Sequence, residues 1–157
     1  MRDLQKFYID GQWLEPQGQA TLSVTNPATE DAIATIRLGN QGDVDVAVAA
    51  AHKSFPTFSQ SSREERIALL ENIITVYKKH SDALAEAITS EMGAPDQLAR
   101  KAQVAAGLGH FFVALKVLKD YPFSEMVGTT NVVKEPIGVC ALITPWNWPL
   151  NQIACKV

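Results

Sequence analysis

The residues of this chain best placed to do chemistry lie in one short stretch, Thr144-Pro145-Trp146-Asn147-Trp148-Pro149. Asn147 carries a neutral amide that donates and accepts hydrogen bonds without changing charge. It follows an unbroken apolar run, Ile137 to Ile143. It precedes Pro149, which suits a first helical position because that N–H would go unpaired anyway. The pattern is strand, tight turn, helix, with Asn147 on the turn. Turns at the carboxyl ends of parallel strands are where open α/β sheets bind their ligands. A place beside a helix start equally suits an N-cap, where asparagine is favoured. Spacing alone leaves both roles open.

Other reactive groups are less well placed. Cys140 falls inside the apolar run, where a thiol behaves as a small buried hydrophobe. Cys155 lies two turns into the last helix, beyond the reach of its N-terminal partial charge. Both are read as structural, with no metal spacing and no disulfide framework. His52, His80 and His110 are scattered over separate helical segments, at surface or boundary positions. Glu64, Glu65 and Glu71 belong to a solvated helix start. Trp148, Asn151, Gln152 and Cys155 fall at i, i+3, i+4 and i+7, one stripe of the last helix. An indole with two amides makes an odd core face, because buried amides need partners. Trp146 either stacks on a ligand or fills space over a sheet edge.

The elements that hold this turn follow from pattern. Ile137 to Ile143 has no polar face, as expected of a buried strand in a parallel sheet covered on both sides. Phe7-Tyr8-Ile9 and Gln12-Trp13-Leu14 flank Asp10-Gly11, a hairpin signal. Strands over Thr21 to Thr25 and Ala32 to Leu38, joined through the turn Asn26-Pro27-Ala28-Thr29, complete a small antiparallel sheet. A helix is predicted over Asp43 to Phe55, stopped by Pro56. Ser62-Arg63-Glu64-Glu65 fits a capping box opening a second helix, with Ile67, Leu70, Ile74 and Tyr77 on one face. A break at His80-Ser81-Asp82 leads to a third over Ala83 to Met92, closed by Gly93-Ala94-Pro95. Asp96 caps a long helix to about Lys119, whose Ala102, Ala105, Ala106 and Gly109 permit close packing. Lys116 and Lys119 suit its dipole, and Tyr121-Pro122 ends it. Thr129 to Lys134 reads as an exposed strand.

The final helix runs to Val157 with no capping glycine. One strand with one helix cannot make a sheet, so the chain is expected to be the leading piece of something longer. On its own it is expected to be poorly soluble, with unpaired edges and exposed apolar faces. Composition bounds the rest. With 157 residues, 46% hydrophobic and 20% charged, the chain can bury one domain's core. A net charge of −3 gives no basic face for nucleic acid or anionic membrane. No apolar run reaches a membrane span, and Met1-Arg2-Asp3-Leu4 lacks a signal peptide's apolar core. A cytoplasmic protein with reduced thiols is expected.

Pro136-Ile137-Gly138-Val139 through Pro145-Trp146-Asn147-Trp148-Pro149-Leu150 resembles the NAD(P)-dependent aldehyde dehydrogenase family. Phe7 to Trp13 is similar to its opening hairpin, and Val24 to Thr29 to the segment after it. Asp43 to Ala51 resembles its first helix, and Ser62 to Arg66 the start of its second. Phe58 departs, standing where many members carry a tryptophan. The likeness implies the α/β N-terminal part of that fold, incomplete: a small antiparallel sheet, helices, and the first strand-turn-helix of a Rossmann-like parallel sheet. Residues 1–126 would be the sheet and helices of the cofactor-binding domain, 127–136 an oligomerisation arm strand, and 137–157 the truncated Rossmann-like unit. Ile143, Thr144, Pro145, Trp146 and Asn147 would touch the nicotinamide half of NAD or NADP. Trp148, Asn151, Gln152 and Cys155 would help wall the tunnel that admits the aldehyde.

In that chemistry a cysteine thiolate attacks the aldehyde carbonyl, the thiohemiacetal oxyanion gives up a hydride, and water hydrolyses the thioester. The resemblance gives Asn147 the task of donating to the oxyanion, with a value of roughly 3–4 kcal/mol by analogy with other such donors. Neither cysteine aligns with the family's nucleophile, and no carboxylate matches its glutamate base. No Gly-rich dinucleotide fingerprint follows the strand. Two readings stand. One is the N-terminal part of an enzyme oxidising a small-molecule aldehyde of some polar character, working as a homodimer or homotetramer. The alternative is an inactive truncated remnant or a non-enzymatic assembly module. Metal, nucleic acid and membrane have no expected part in either.

Overall fold

The computed structural model describes residues 2–157. Strand β1 (Arg2–Leu4) is followed by a hairpin of β2 (Phe7–Ile9) and β3 (Gln12–Leu14). Asp10 and Gly11 turn it with φ of 50° and 77°, the left-handed pair that a two-residue hairpin loop needs. Tyr8 and Trp13 face each other across the pair with ring centroids 5.2 Å apart. Strands β4 (Thr21–Thr25) and β5 (Ala32–Arg37) pair antiparallel, as predicted. Between them, Asn26 Oδ1 accepts from the Ala28 N–H at 2.9 Å and shapes the predicted turn. The sheet order is β1-β5-β4, and β1 lies parallel to β5. The sheet is therefore mixed rather than purely antiparallel, with Ala34 of β5 buried at its centre.

Helix α1 (Gln41–Phe58) opens earlier than Asp43 because Asn40 caps it. Asn40 Oδ1 accepts from the Asp43 N–H, and the Asp43 carboxylate accepts from the Asn40 N–H at 2.9 Å. The same buried carboxylate takes the N–H groups of Gln17 at 2.7 Å and Gly18 at 3.0 Å. One side chain thus starts a helix and holds the loop after β3 against it. The predicted stop at Pro56 is corrected: α1 runs through it to Phe58. A proline in a last turn forfeits a single backbone bond. Hydroxyls then take the closing carbonyls, Ser59 Oγ donating to Pro56 O and Ser61 Oγ to Phe58 O.

Helix α2 (Arg63–Lys79) opens at the predicted capping box, with Ser62 and Glu65 bonding reciprocally. It ends at His80, which also starts α3 (Ser81–Met92). The long helix after Pro95 is continuous but not uniform: α4 (Asp96–Leu98), a π-helical stretch (Ala99–Gln103) and α5 (Val104–Asp120). Asp96 does not cap it. Pro95 holds the N-cap position, and the Asp96 carboxylate pairs instead with Arg100 Nε at 2.8 Å. The same guanidinium reaches Asp82 at 2.8 Å and ties the helix to α3.

The core sits among these helices. Ala85, Ile88, Ala94, Ala99 and Val104 form one buried cluster, and Ile74, Phe111 and Ala154 another. Tyr77 borders both, and its hydroxyl donates to Val104 O at 2.9 Å. Burial pushes that phenol's pKa up to about 12, so it stays a donor. Arg63 reaches from the start of α2 to the end of α5, donating to Lys119 O and Tyr121 O at 2.5 and 2.6 Å. Arg63 and Arg66 also lie over the Phe123 ring, 5.6 and 5.8 Å from its centroid.

Beyond Phe123, β6 (Ser124–Val127) and β7 (Thr130–Val133) form a hairpin exposed at every residue. The strand predicted over Thr129 to Lys134 is β7; its partner β6 was not anticipated. The buried parallel strand predicted for Ile137 to Ile143 is not formed. Ile137 is 93% and Ile143 87% exposed, and no described strand lies beside the run. A parallel strand exists through its neighbours' hydrogen bonds and the helices over its faces, and this run has neither. Helix α6 (Pro149–Ala154) starts at Pro149 as predicted, but closes at Ala154 rather than continuing to Val157. The N–H of Lys156 folds back to Ile153 O at 3.0 Å, a tight turn that ends it. Among the described residues, no helix is long and apolar enough to cross a membrane.

Candidate functional site

The segment from Ile143 to Asn147 lies open on the surface. From Glu135 through Asn147 no backbone–backbone hydrogen bond is made among the described residues. Trp146 is 79% exposed, and its indole borders a groove of about 510 Å³ with Pro27, Ile88, Met92, Pro149 and Leu150. Asn147 is exposed, and its side chain bonds to nothing among the described residues. The capping role left open above is thereby removed. Trp148 occupies the N-cap of α6 (φ −140°, ψ 68°), and no side chain caps that end. An amide beside a helix start that does not cap is an uncommitted donor.

The stripe on α6 divides between neighbours. Asn151 is half-buried, and its Oδ1 takes the Nε2–H of His110 on α5 at 2.7 Å. Gln152 pairs with Lys156, whose Nζ lies 2.8 Å from Oε1. Trp148 is partly exposed and Cys155 is exposed. The packing face of the helix is instead Leu150 and Ala154, set against α5 and α2. The stripe therefore borders the interior rather than filling it. Cys140, predicted as a buried hydrophobe, is exposed because the strand that would bury it is not formed.

Close docking of α6 depends on Gly107, not on the predicted Gly109. A Cβ added at Gly107 would lie 2.5 Å from Tyr77 Oη and 2.9 Å from Leu150 Cβ, whereas one at Gly109 would meet nothing. His110 stands at the boundary, as its place in the sequence implies, and its pairing with Asn151 is what the sequence does not give. The one signal available was the half-apolar setting of Asn151, whose amide demanded a partner. Nothing in the sequence said which. Among the described residues, no group of three or more His, Cys, Asp or Glu side chains could hold a metal ion.

A sequence model of the aldehyde dehydrogenase family matches residues 13–157. The chain belongs to that family. It is 54% identical over its whole length to the 3-succinoylsemialdehyde-pyridine dehydrogenase of a Pseudomonas species, covering 33% of that protein. Its fold is similar to that of an aldehyde dehydrogenase from Bartonella henselae, with TM-score 0.95 and 40% identity, covering 98% of this chain and 33% of that one. It is also similar to a variant of aldehyde dehydrogenase C from Pseudomonas syringae crystallised with NAD+ and octanal. There the TM-score is 0.93 and the identity 46%, with coverage of 96% and 31%. The chain spans about a third of the length of these relatives. The α/β architecture with small sheets and packed helices is thus the N-terminal part of the aldehyde dehydrogenase fold.

Proposed function

We propose that this chain supplies the oxyanion donor, part of the nicotinamide contact and part of the substrate wall of an aldehyde dehydrogenase. The reaction is oxidation of an aldehyde to a carboxylic acid with NAD+ or NADP+. The observation that carries the reading is the Asn147 amide, free of capping duty and exposed on a turn that matches the family. A fixed neutral amide suits a developing alkoxide, because it stabilises the charge without neutralising the thiolate that attacks. Among the described residues it stands unpaired, two residues before the proline-led helix, and so is available to donate when the charge appears.

The turn also fits a nicotinamide. Ile143 and Trp146 offer apolar and aromatic surface at 87% and 79% exposure, and the backbone between them has unpaired polar groups. Ile143, Thr144, Pro145, Trp146 and Asn147 would hold that ring, and when bound it supplies the hydride acceptor. Trp148, Asn151, Gln152 and Cys155 would wall the path of the aldehyde. Asn151 Oδ1 is taken by His110 and Gln152 Oε1 by Lys156, and the amide N–H groups that remain favour a substrate with polar character. The named substrate of the Pseudomonas relative, a pyridine semialdehyde, agrees with it; the octanal in the P. syringae structure marks the apolar extreme.

In the full-length enzyme, Asn147→Ala is expected to lower kcat by roughly 10²–10³-fold with a smaller change in KM. Near-normal kcat would sink the oxyanion assignment. By the family's pattern the nucleophile and general base lie outside this chain, so the isolated 157 residues are expected to oxidise no aldehyde. The exposed β6–β7 hairpin would then serve, with residues 127–136, as the arm that pairs subunits into a dimer or tetramer in the cytoplasm.

A further inference from the structure

We propose that His110 is a positioning residue for Asn147, acting through Asn151 to fix how α6 lies on α5; the inference rests on the oxyanion reading above. Helix α6 has few attachments. The chain entering it makes no backbone hydrogen bond from Glu135 through Asn147 among the described residues, and no side chain caps its start. Among the described residues, what holds it is apolar contact at Leu150 and Ala154, and one directional bond, His110 Nε2–H to Asn151 Oδ1 at 2.7 Å.

These two attachments do different work. Apolar contact at Gly107 brings the helices close, but burial is non-directional and tolerates rolling about the helix axis. Gly107 and His110 are i and i+3 on α5, and Leu150 and Asn151 are adjacent on α6, so the second contact stands one turn from the first. Two points of attachment remove the roll that one allows. Asn147 lies four residues before Asn151, on the chain that enters the same helix. With side-chain tips about 5–6 Å from a helix axis, a roll of about 10° moves them by roughly 1 Å. Misplacement on that scale costs on the order of 10²-fold in rate.

Both the neutral imidazole protonated on Nε2 and the imidazolium donate this bond, so the predicted effect does not depend on which form is present. Removing the donor should matter; changing the ring need not. A glutamine at the position can present its amide N–H where the imidazole Nε2–H stands.

The test uses the full-length enzyme and the isolated chain side by side. His110→Phe is expected to lower kcat roughly 10- to 100-fold with little change in KM, and Asn151→Leu to lower kcat to a similar extent. The double variant should be no worse than either single one, and His110→Gln should recover most of the loss. In the 157-residue chain, the Asn147 side-chain amide resonances should shift in His110→Phe and return towards the wild-type position in His110→Gln. Unchanged kcat in His110→Phe, additive losses in the double variant, a His110→Phe loss borne by KM, or unmoved Asn147 resonances would each overturn the proposal. Asn147→Ala in the same assay separates the two claims. If it retains kcat, the oxyanion reading falls and this inference with it; if it loses kcat while His110→Phe does not, only this inference falls.

Discussion

Ala85 and Ala99 are fully buried, while Ile137 and Ile143, in the most apolar stretch of the chain, are 93% and 87% exposed. Hydrophobicity does not explain the contrast, since the isoleucines are the greasier side chains. Backbone pairing does. A helix bonds its own N–H and C=O groups and can be buried by whatever packs on one face. A strand must borrow its partners, and without them the run from Ile137 keeps its backbone unpaired and most of its side chains exposed, with Val139 half-buried. Burial in this chain therefore follows helix packing and stops where strand neighbours would be needed. The proposed chemistry stands just past that boundary.

The contrast can be broken at either end. Phe111→Ala, in the cluster with Ile74 and Ala154, is expected to cost about 3–5 kcal/mol in the 157-residue chain, read by denaturant unfolding. A loss under about 1 kcal/mol would mean that the helical unit is not the packed region it is taken for. A subtler probe is the Asp43 carboxylate, held below its ordinary pKa of 3.8 by the N–H groups of Asn40 and Gln17, with Gly18 adding and burial opposing. Because the folded value is the lower one, this group's stabilisation is complete above the unfolded pKa and is lost as pH falls through the folded one. Melting temperature should thus fall as pH drops below the ordinary carboxylate range, and less steeply in Asp43→Asn. Equal slopes would show that the carboxylate does not hold the loop. The smallest effect is expected from Ile137→Ala, within about 0.5 kcal/mol in the isolated chain. A large loss there would show the run to be packed after all.

What was legible in the sequence was local. Asp10-Gly11 and the Ser62 capping box work through residues at most three apart, and both stand where pattern placed them. The turn at Asn26 and the start of α6 at Pro149 belong to the same class. Misreadings came where a competing partner, near or far along the chain, decides. Pro56 looked like a stop, yet hydroxyls beyond it close the helix. Asp96 looked like a cap, yet Arg100 takes its carboxylate. Asn147 fitted two roles, and only the three-dimensional placement of Trp148 at the N-cap removed one. The partner of Asn151 was out of reach, because no local rule links it to a histidine 41 residues away.

Arg63 grips two carbonyls at the end of α5 while its guanidinium lies over Phe123, the residue from which the β6–β7 hairpin departs. Three parts of the molecule thus share a single joint, and the bearing on which the hairpin leaves the helical layer is set by a residue some 56 positions earlier than the carbonyl it grips. Any surface the hairpin presents to a neighbour inherits its angle from that hinge pin.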